Sequence, residues 1–331
     1  MGIRRCMSAV SLDGFKEKIK LFLRKARSFA PDMSPEDLGQ ALRNFMVYAI
    51  FREQNGLLPS CPSSIFGYSM LYPYTDNFLD DPAITEAEKG HYNRFIRDKI
   101  KGRPLSPASV HEEKTALLLD DIADAYISSD SERETAAADI REGLLLMLEA
   151  QEISQKQVCP TDLTQQDILD ISIYKGGLSV LIDRFFVELP MTDDDVLFYF
   201  GFGFLLQLCD DLQDIGQDKQ SGSRTLLSCC RTPEETAECV NRIFSYTSAL
   251  FKFCPGKNRD FTAFLLQSCY ELILSSAAGS GEWFDPSYLN KLEKYLPVSL
   301  GFLDEQKSRM PAAFPDSGKD QVMEMLDVFL R

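Results

Sequence analysis

The sequence predicts an all-α chain. Three observations carry this: capping boxes recur along it, clusters of breakers separate its apolar segments, and no stretch keeps the strict alternation of a half-buried strand. The boxes pair a hydroxyl residue with an acid three positions on: Ser34 with Asp37, Thr85 with Glu88, Thr164 with Asp167, and Thr192 with Asp195. Each precedes an apolar run of helical period. Between the runs lie NGLLPSCP at 55–62, KGRPLSP at 101–107, Pro160, Pro190, QSGS at 220–223, Pro255-Gly256 and GSGEWFDP at 279–286. That spacing predicts about ten or more helices of ordinary length. With no internal repeat, low-complexity tract or long linker, the 331 residues read as one domain, 1–331. Its core runs from about 34 to 300, and the segment 304–331 is either a closing helix or a tail.

Composition narrows the function. A formal net charge of −15 repels nucleic acid and anionic membrane surfaces, so neither is expected as a main partner. The nine cysteines, an odd number scattered through apolar segments, read as reduced thiols packed as small hydrophobes. No uninterrupted apolar run reaches the roughly 20 residues of a membrane span, and the N-terminus lacks a signal-peptide core. The expectation is a cytoplasmic protein with no stable membrane insertion, and a homodimer is left open.

The chemistry concentrates in two acidic segments. In LLQLCDDLQDIGQDKQSG, residues 205–222, one helix of 3.6 residues per turn would carry Gly203, Gln207, Asp210, Asp214 and Asp218 as a stripe, with Asp211 beside it. Phe200 continues the stripe upstream, and Gly203 removes bulk between the apolar wall and the carboxylates. This is the pattern of a cavity lining. Buried carboxylates are costly unless paired or bound to cations, and an oxygen-only set favours Mg²⁺, with Mn²⁺ as the alternative. A solvated helix end would carry the same string, and LLLDDIADAY repeats it at Asp120, Asp121 and Asp124, which are assigned to the surface.

A second segment of the same design separates the two cases. GYSMLYPYTDNFLDDP, residues 67–82, places Ser69, Tyr72, Asp76 and Asp80 on one face, with Asp81 off that face and Pro82 ending the helix. Two such helices with their acidic ends facing would hold metal ions between them, and the ions a diphosphate. Basic residues placed to assist are Lys175 in SIYKGGLSV, Lys219 and Arg224. His91 and His111 are the only histidines, and neither sits in an ExxH motif, which disfavours a histidine-based hydrolase or di-iron bundle.

Paired aspartate-rich helices, a Lys-Gly-Gly helix between them and QLCDDLQDIGQDKQSG together resemble the class I isoprenoid synthases: trans-prenyltransferases, squalene and phytoene synthases, and class I terpene cyclases. The likeness is architectural over about 34–300 and motif-specific around 71–82, 174–178 and 207–224. It implies a single-domain helical bundle of the class I terpenoid synthase type with a central active-site cavity. It implies a Mg²⁺ cluster held by Asp76, Asp80 and Asp81 on one side and Asp210, Asp211 and Asp214 on the other. Of these, Asp76, Asp80, Asp210 and Asp214 would be the catalytic set. An allylic prenyl diphosphate would be contacted by Lys175, Gln207, Lys219 and Arg224, with Phe66, Tyr72, Tyr199, Phe200 and Phe204 lining its hydrocarbon pocket.

This sequence also departs from the pattern. DNFLDD lacks the paired leading aspartates of prenyltransferases, no arginine pair follows it, and the N-terminal basic motif for isopentenyl diphosphate is missing. The Asn-Ser-Glu triad of microbial cyclases is replaced by aspartates. The expectation is therefore a terpene synthase or cyclase, a carbon-oxygen lyase. Head-to-head coupling or chain elongation is the alternative, and a non-catalytic prenyl-binding protein the third reading.

Overall fold

A computed structural model describes residues 9–123, 131–158, 163–255 and 258–295. Asp124 and the segment 304–331 lie outside them. Among the described residues the architecture is all-α, with no strand. The helices are α1 (Ala9–Phe29), α2 (Pro35–Gln54), α3 (Ser63–Asp80), α4 (Glu86–Ile100), α5 (Val110–Ala123), α6 (Ser131–Ser154), α7 (Gln165–Phe185), α8 (Asp193–Gln213), α9 (Ile215–Ser221), α10 (Pro233–Leu250), α11 (Arg259–Gly279) and α12 (Pro286–Leu292). They group into two compact units. One contains α1–α5, α6 up to residue 151 and residues 180–190; the other contains the rest.

Local chemistry sets the helix starts. Thr85 and Thr192 each close a reciprocal box, accepting from the backbone of Glu88 and Asp195 while those carboxylates take the cap's own N–H. Thr164 does the same with Asp167 ahead of α7, and the Ser34 hydroxyl accepts from the Asp37 N–H. Every box read from the sequence opens a helix. Pro82 ends α3 as expected: Asp81 leaves the helix in extended geometry, as a residue before proline must.

In the first unit α3 is the central helix, packed by α2 and α5. Ile65, Phe66, Tyr68, Met70, Leu71, Thr75, Asp76 and Leu79 are all buried, so the helix shows no solvent stripe over most of its length. The α3–α5 approach is close because Gly67 has no side chain: a Cβ there would stand 2.5 Å from the Leu118 carbonyl oxygen. The core extends further toward the N-terminus than the expected boundary near residue 34. On α1, Phe15, Ile19, Phe22 and Ala26 form a buried stripe, and the Phe22 ring stacks on Phe45 at 4.8 Å between centroids.

In the second unit α8 takes the central place, against α10 and α11. Phe198, Tyr199, Phe202, Leu205, Leu208 and Leu212 are buried around its circumference. Thr236, Val240, Ile243, Thr247 and Leu250 form the facing stripe of α10. Helix α11 is long and apolar enough by composition to cross a membrane, although it contains no uninterrupted apolar run of that length. It buries Phe261, Leu265, Cys269, Ile273 and Ala277 within the unit.

The C-terminal end of α7 carries two buried ionisable groups. The Arg184 guanidinium donates to the carbonyls of Leu189 and Pro190, closing the turn in which Glu188 takes a left-handed φ of 57°. Asp183 is 2% exposed with an orphaned Oδ1, and burial holds its carboxyl well above the ordinary carboxylate range. Folding therefore retains a proton that the unfolded chain releases. That contribution is complete below the unfolded pKa and is lost as pH rises through the native one. Asp183→Asn removes the dependence. The variant's stability relative to the parent should rise from pH 5 to pH 8 by up to about 1 kcal/mol per pH unit, read by urea unfolding. A difference that stays flat across this range would mean Asp183 is ionised in the native protein.

Candidate functional site

The two acidic segments are the C-terminal ends of the two central helices, α3 and α8, one in each unit. Neither helix has a basic residue in its last turn. The helix macrodipole puts partial negative charge at a C-terminus, so carboxylates there are unfavourably placed unless a cation offsets them.

In the α3 half, Asp76 is buried and accepts a hydrogen bond from the Gln151 amide of α6, which also reaches the Thr75 hydroxyl at 3.5 Å. The glutamine orients one oxygen of the carboxylate. Gln151 was not legible in the sequence, because it lies 75 positions away in a segment with no motif. Asp80 occupies the last position of α3 and Tyr72 is half-buried one turn above Asp76. Asp81 is exposed, and its carboxylate accepts from the Ala83 N–H at 2.8 Å, stabilising the turn through Pro82. Ser69 lies fully buried, its hydroxyl without a partner.

In the α8 half the expected single helix is broken. It stops at Gln213, Asp214 takes φ −100° and ψ 11°, and α9 begins at Ile215. The cause is Ser280, whose buried hydroxyl donates to the Leu212 carbonyl at 2.7 Å and approaches that of Gln213 at 3.4 Å. Those are the acceptors a continuing helix would need, and a side chain inserted into the ladder bends it. Asp214 is consequently exposed, Asp210 half-buried and Asp211 4% exposed. The most buried member of the run is thus the one placed beside the predicted stripe. Asp218, on α9, accepts from the Thr225 hydroxyl at 3.1 Å.

Asp211 Oδ1 accepts from the Gln207 amide at 2.8 Å, while Oδ2 is buried with no partner. Desolvation pushes this carboxyl up to about 7; the Gln207 hydrogen bond opposes the shift, Asp218 and Asp210 add to it, and Lys175 on α7 opposes it. Gln207 therefore holds one oxygen of Asp211.

The stripe above these acids is a helix contact, which corrects the expectation that Gly203 opens a cavity. A Cβ on Gly176 of α7 would stand 2.8 Å from the Gly203 carbonyl oxygen and 2.7 Å from Gln207 Cβ, and one on Gly177 would stand 2.5 Å from the Phe200 ring. Small residues on both helices let the backbones meet, and Phe200 covers Gly177. Phe204 instead faces α10, edge-on to Tyr246 at 5.4 Å, while Tyr199 and Phe66 pack in the cores of their respective units. Two cavities of about 260 and 440 Å³ in the first unit contain none of the predicted site residues.

The remaining basic residues are engaged locally. Lys219 donates to the Cys230 carbonyl at 2.6 Å with its ammonium 4.7 Å from the Trp283 ring centre. Arg224 donates to the Leu163 carbonyl at 2.8 Å, and its backbone exchanges hydrogen bonds with Gln157. Asp120, assigned to the surface, is exposed and paired with Lys99 at 2.7 Å. His111 stacks on Phe78 and Tyr74 and bonds the Tyr92 hydroxyl; His91 pairs with Glu112.

Among the described residues no three His, Cys, Asp or Glu side chains converge on one point. A divalent cation nonetheless fits the donor set of the α8 half. The donors are all oxygens, and one buried carboxylate oxygen, Asp211 Oδ2, has no partner.

The sequence matches no protein-family model and no curated protein. Among solved structures, the chain is similar to a geranyltransferase from Legionella pneumophila (11% identity, TM-score 0.46, covering 80% of this chain and 96% of that one). It is also similar to a geranylgeranyl pyrophosphate synthetase from the archaeon Geoglobus acetivorans (15% identity, TM-score 0.40, 89% and 99%). Both neighbours are prenyltransferases by name, and at these scores the likeness carries nothing further about this chain.

The α7–α8 contact is directly testable. Gly176→Ala must push against a backbone carbonyl, so it should cost about 1–3 kcal/mol in chemical denaturation. Gly39→Ala in α2, where a Cβ meets nothing within 4 Å, should instead gain about 0.5–1 kcal/mol. Equal effects at the two positions would show that the close approach is absent.

Proposed function

We propose that this chain is a class I isoprenoid-diphosphate enzyme, most specifically a terpene synthase. In this reading it ionises an allylic prenyl diphosphate, closes or deprotonates the resulting carbocation, and releases diphosphate. The observation that carries the proposal is Asp211, a carboxylate with an orphaned buried oxygen inside DDLQD near the C-terminal end of a buried helix.

By the resemblance, Asp210, Asp211 and Asp214 at the end of α8 are one metal-ligating set in this proposal, and Asp76 and Asp80 on α3 are the other. When bound there, Mg²⁺ would neutralise the diphosphate and make it a leaving group. The protein's own part is orientation. Gln207 fixes one oxygen of Asp211 and Gln151 one oxygen of Asp76, and the second oxygen of Asp211, which meets no donor, is the one offered to the ion. Lys175, whose charge already acts on Asp211, is the diphosphate contact. Lys219 and Arg224 support the loop after α9 through backbone carbonyls, and Asp81 supports its turn. Tyr72 is the aromatic wall above Asp76, and apolar surroundings there keep water from a carbocation.

Prenyl transfer uses the same acidic machinery and differs in consuming a second prenyl substrate. Purified protein with Mg²⁺ is therefore given geranyl, farnesyl, geranylgeranyl or geranylfarnesyl diphosphate, each with and without isopentenyl diphosphate. A hydrocarbon or alcohol from one allylic substrate alone is the expected product. Longer diphosphates formed only with isopentenyl diphosphate would reassign it as an elongating transferase, and a coupled dimer of the allylic substrate as a head-to-head enzyme. Asp76→Ala and Asp210→Ala should each lower Mg²⁺-dependent turnover about a hundredfold or more. Unchanged turnover in both would remove the metal assignment.

A further inference from the structure

Seven of the nine cysteines lie in the described residues, and two of them face each other. Cys230, at the end of the turn that follows α9, has its Sγ 3.6 Å from that of Cys239 in α10. We propose that Cys230 and Cys239 form a reversible disulfide on oxidation, a modification site that clamps the turn 222–230 onto α10.

Several observations support it. The two sulfurs are already in contact, and reaching bonding distance requires a closure of about 1.6 Å, within reach of small side-chain rotations. The surrounding backbone is held in place. The Arg231 N–H donates to the Glu235 carboxylate at 2.7 Å, and the Thr232 hydroxyl caps α10 through the Glu235 N–H at 3.3 Å. The two thiols are also unequal. Cys239 is half-exposed and drawn below the ordinary thiol range by the Cys230 hydrogen bond and by Arg242, against burial and the opposing charges of Glu238 and Glu235. Cys230 is buried and driven the other way. An accessible thiolate beside a buried resolving thiol is the arrangement that oxidises selectively. No third Cys, His, Asp or Glu completes a metal-binding group there among the described residues.

The chemistry balances with hydrogen peroxide as oxidant. The Cys239 thiolate attacks one peroxide oxygen, an S–O bond forms as the O–O bond breaks, and the departing hydroxide takes a proton to leave as water. Cys230 then loses its proton and attacks Cys239 Sγ; the S–S bond forms, the S–O bond breaks, and a second water leaves. Two thiols are oxidised by two electrons in all, and a dithiol reductant reverses the change. The bridge would act next to Lys219, because the carbonyl that receives its ammonium belongs to Cys230.

The test needs no substrate and is independent of the proposed activity. Full-length protein is treated with dilute peroxide, alkylated, and digested with trypsin without reduction. The bridge should join TLLSCCR (225–231) to TPEETAECVNR (232–242), and thiols titrated in denaturant should fall from nine to seven. Cys229→Ser should retain the linked pair, whereas Cys230→Ser and Cys239→Ser should each abolish it. Dithiothreitol should restore nine thiols. A linked pair that survives Cys230→Ser through Cys229, or Cys239 recovered only as sulfinic acid, would overturn the assignment. So would nine unchanged thiols in the treated parent protein.

Discussion

The structure turns on the ends of two buried helices. Helices α3 and α8 are each surrounded by their own unit, and each finishes in carboxylates at the end where its dipole is already negative. Elsewhere the chain follows the opposite rule: acids stand in the first turns of α4, α8 and α10, where the dipole welcomes them, and bases in the last turns of α2 and α4. Among the described residues α5 also ends in acids, Asp120 and Asp121, and there Asp120 is paired with Lys99. At the end of α8 the buried Asp211 keeps one oxygen with no donor, and the proposed cation site rests on that feature.

Each half also contains a device for holding a carboxylate rather than neutralising it. A glutamine amide is uncharged, so the Gln151 and Gln207 hydrogen bonds fix one oxygen of Asp76 and one of Asp211 without themselves adding an opposite charge. An arginine in either place would have made a closed ion pair. The Ser280 hydroxyl works on the backbone instead: by taking the Leu212 carbonyl it ends α8 at Gln213 and leaves Asp214 exposed while Asp211 stays buried. The acidic run is thereby spread over a range of burial that one straight helix would not give it. Close packing through Gly176, Gly177 and Gly203 sets where Lys175 stands relative to that run.

What was legible in the sequence was local. Capping boxes depend on residues three apart, so all four helix starts could be read directly, and a proline after Asp81 was enough to end α3. Aspartates at helical spacing marked the C-terminal ends of both central helices. Gly203 misled because a missing side chain has two opposite uses, a void or a contact, and only the partner helix decides between them. Gln151 and Ser280 were invisible for a related reason: each acts on residues about 70 positions away, and no local pattern announces a hydrogen bond of that separation. Lys219 and Arg224 were found as charges near an acidic run, but their donors go to carbonyls that sequence spacing does not describe.

The difference between Asp210 and Asp211 shows why burial sharpens a motif. In the string DDLQD the two are neighbours with equal claims, and helical phase favoured Asp210 as the stripe residue. In the fold Asp211 is the one turned inward, with one oxygen bonded to Gln207 and the other meeting no donor. An isolated buried carboxylate destabilises a protein unless it is protonated, paired or bound to a cation. Lys175 opposes the upward shift of Asp211 without abolishing it, so the protein's own charge leaves the carboxylate only partly compensated. In the proposed function a hard divalent ion supplies the remaining favourable charge, with half-buried Asp210 and exposed Asp214 beside Asp211 as further oxygen donors.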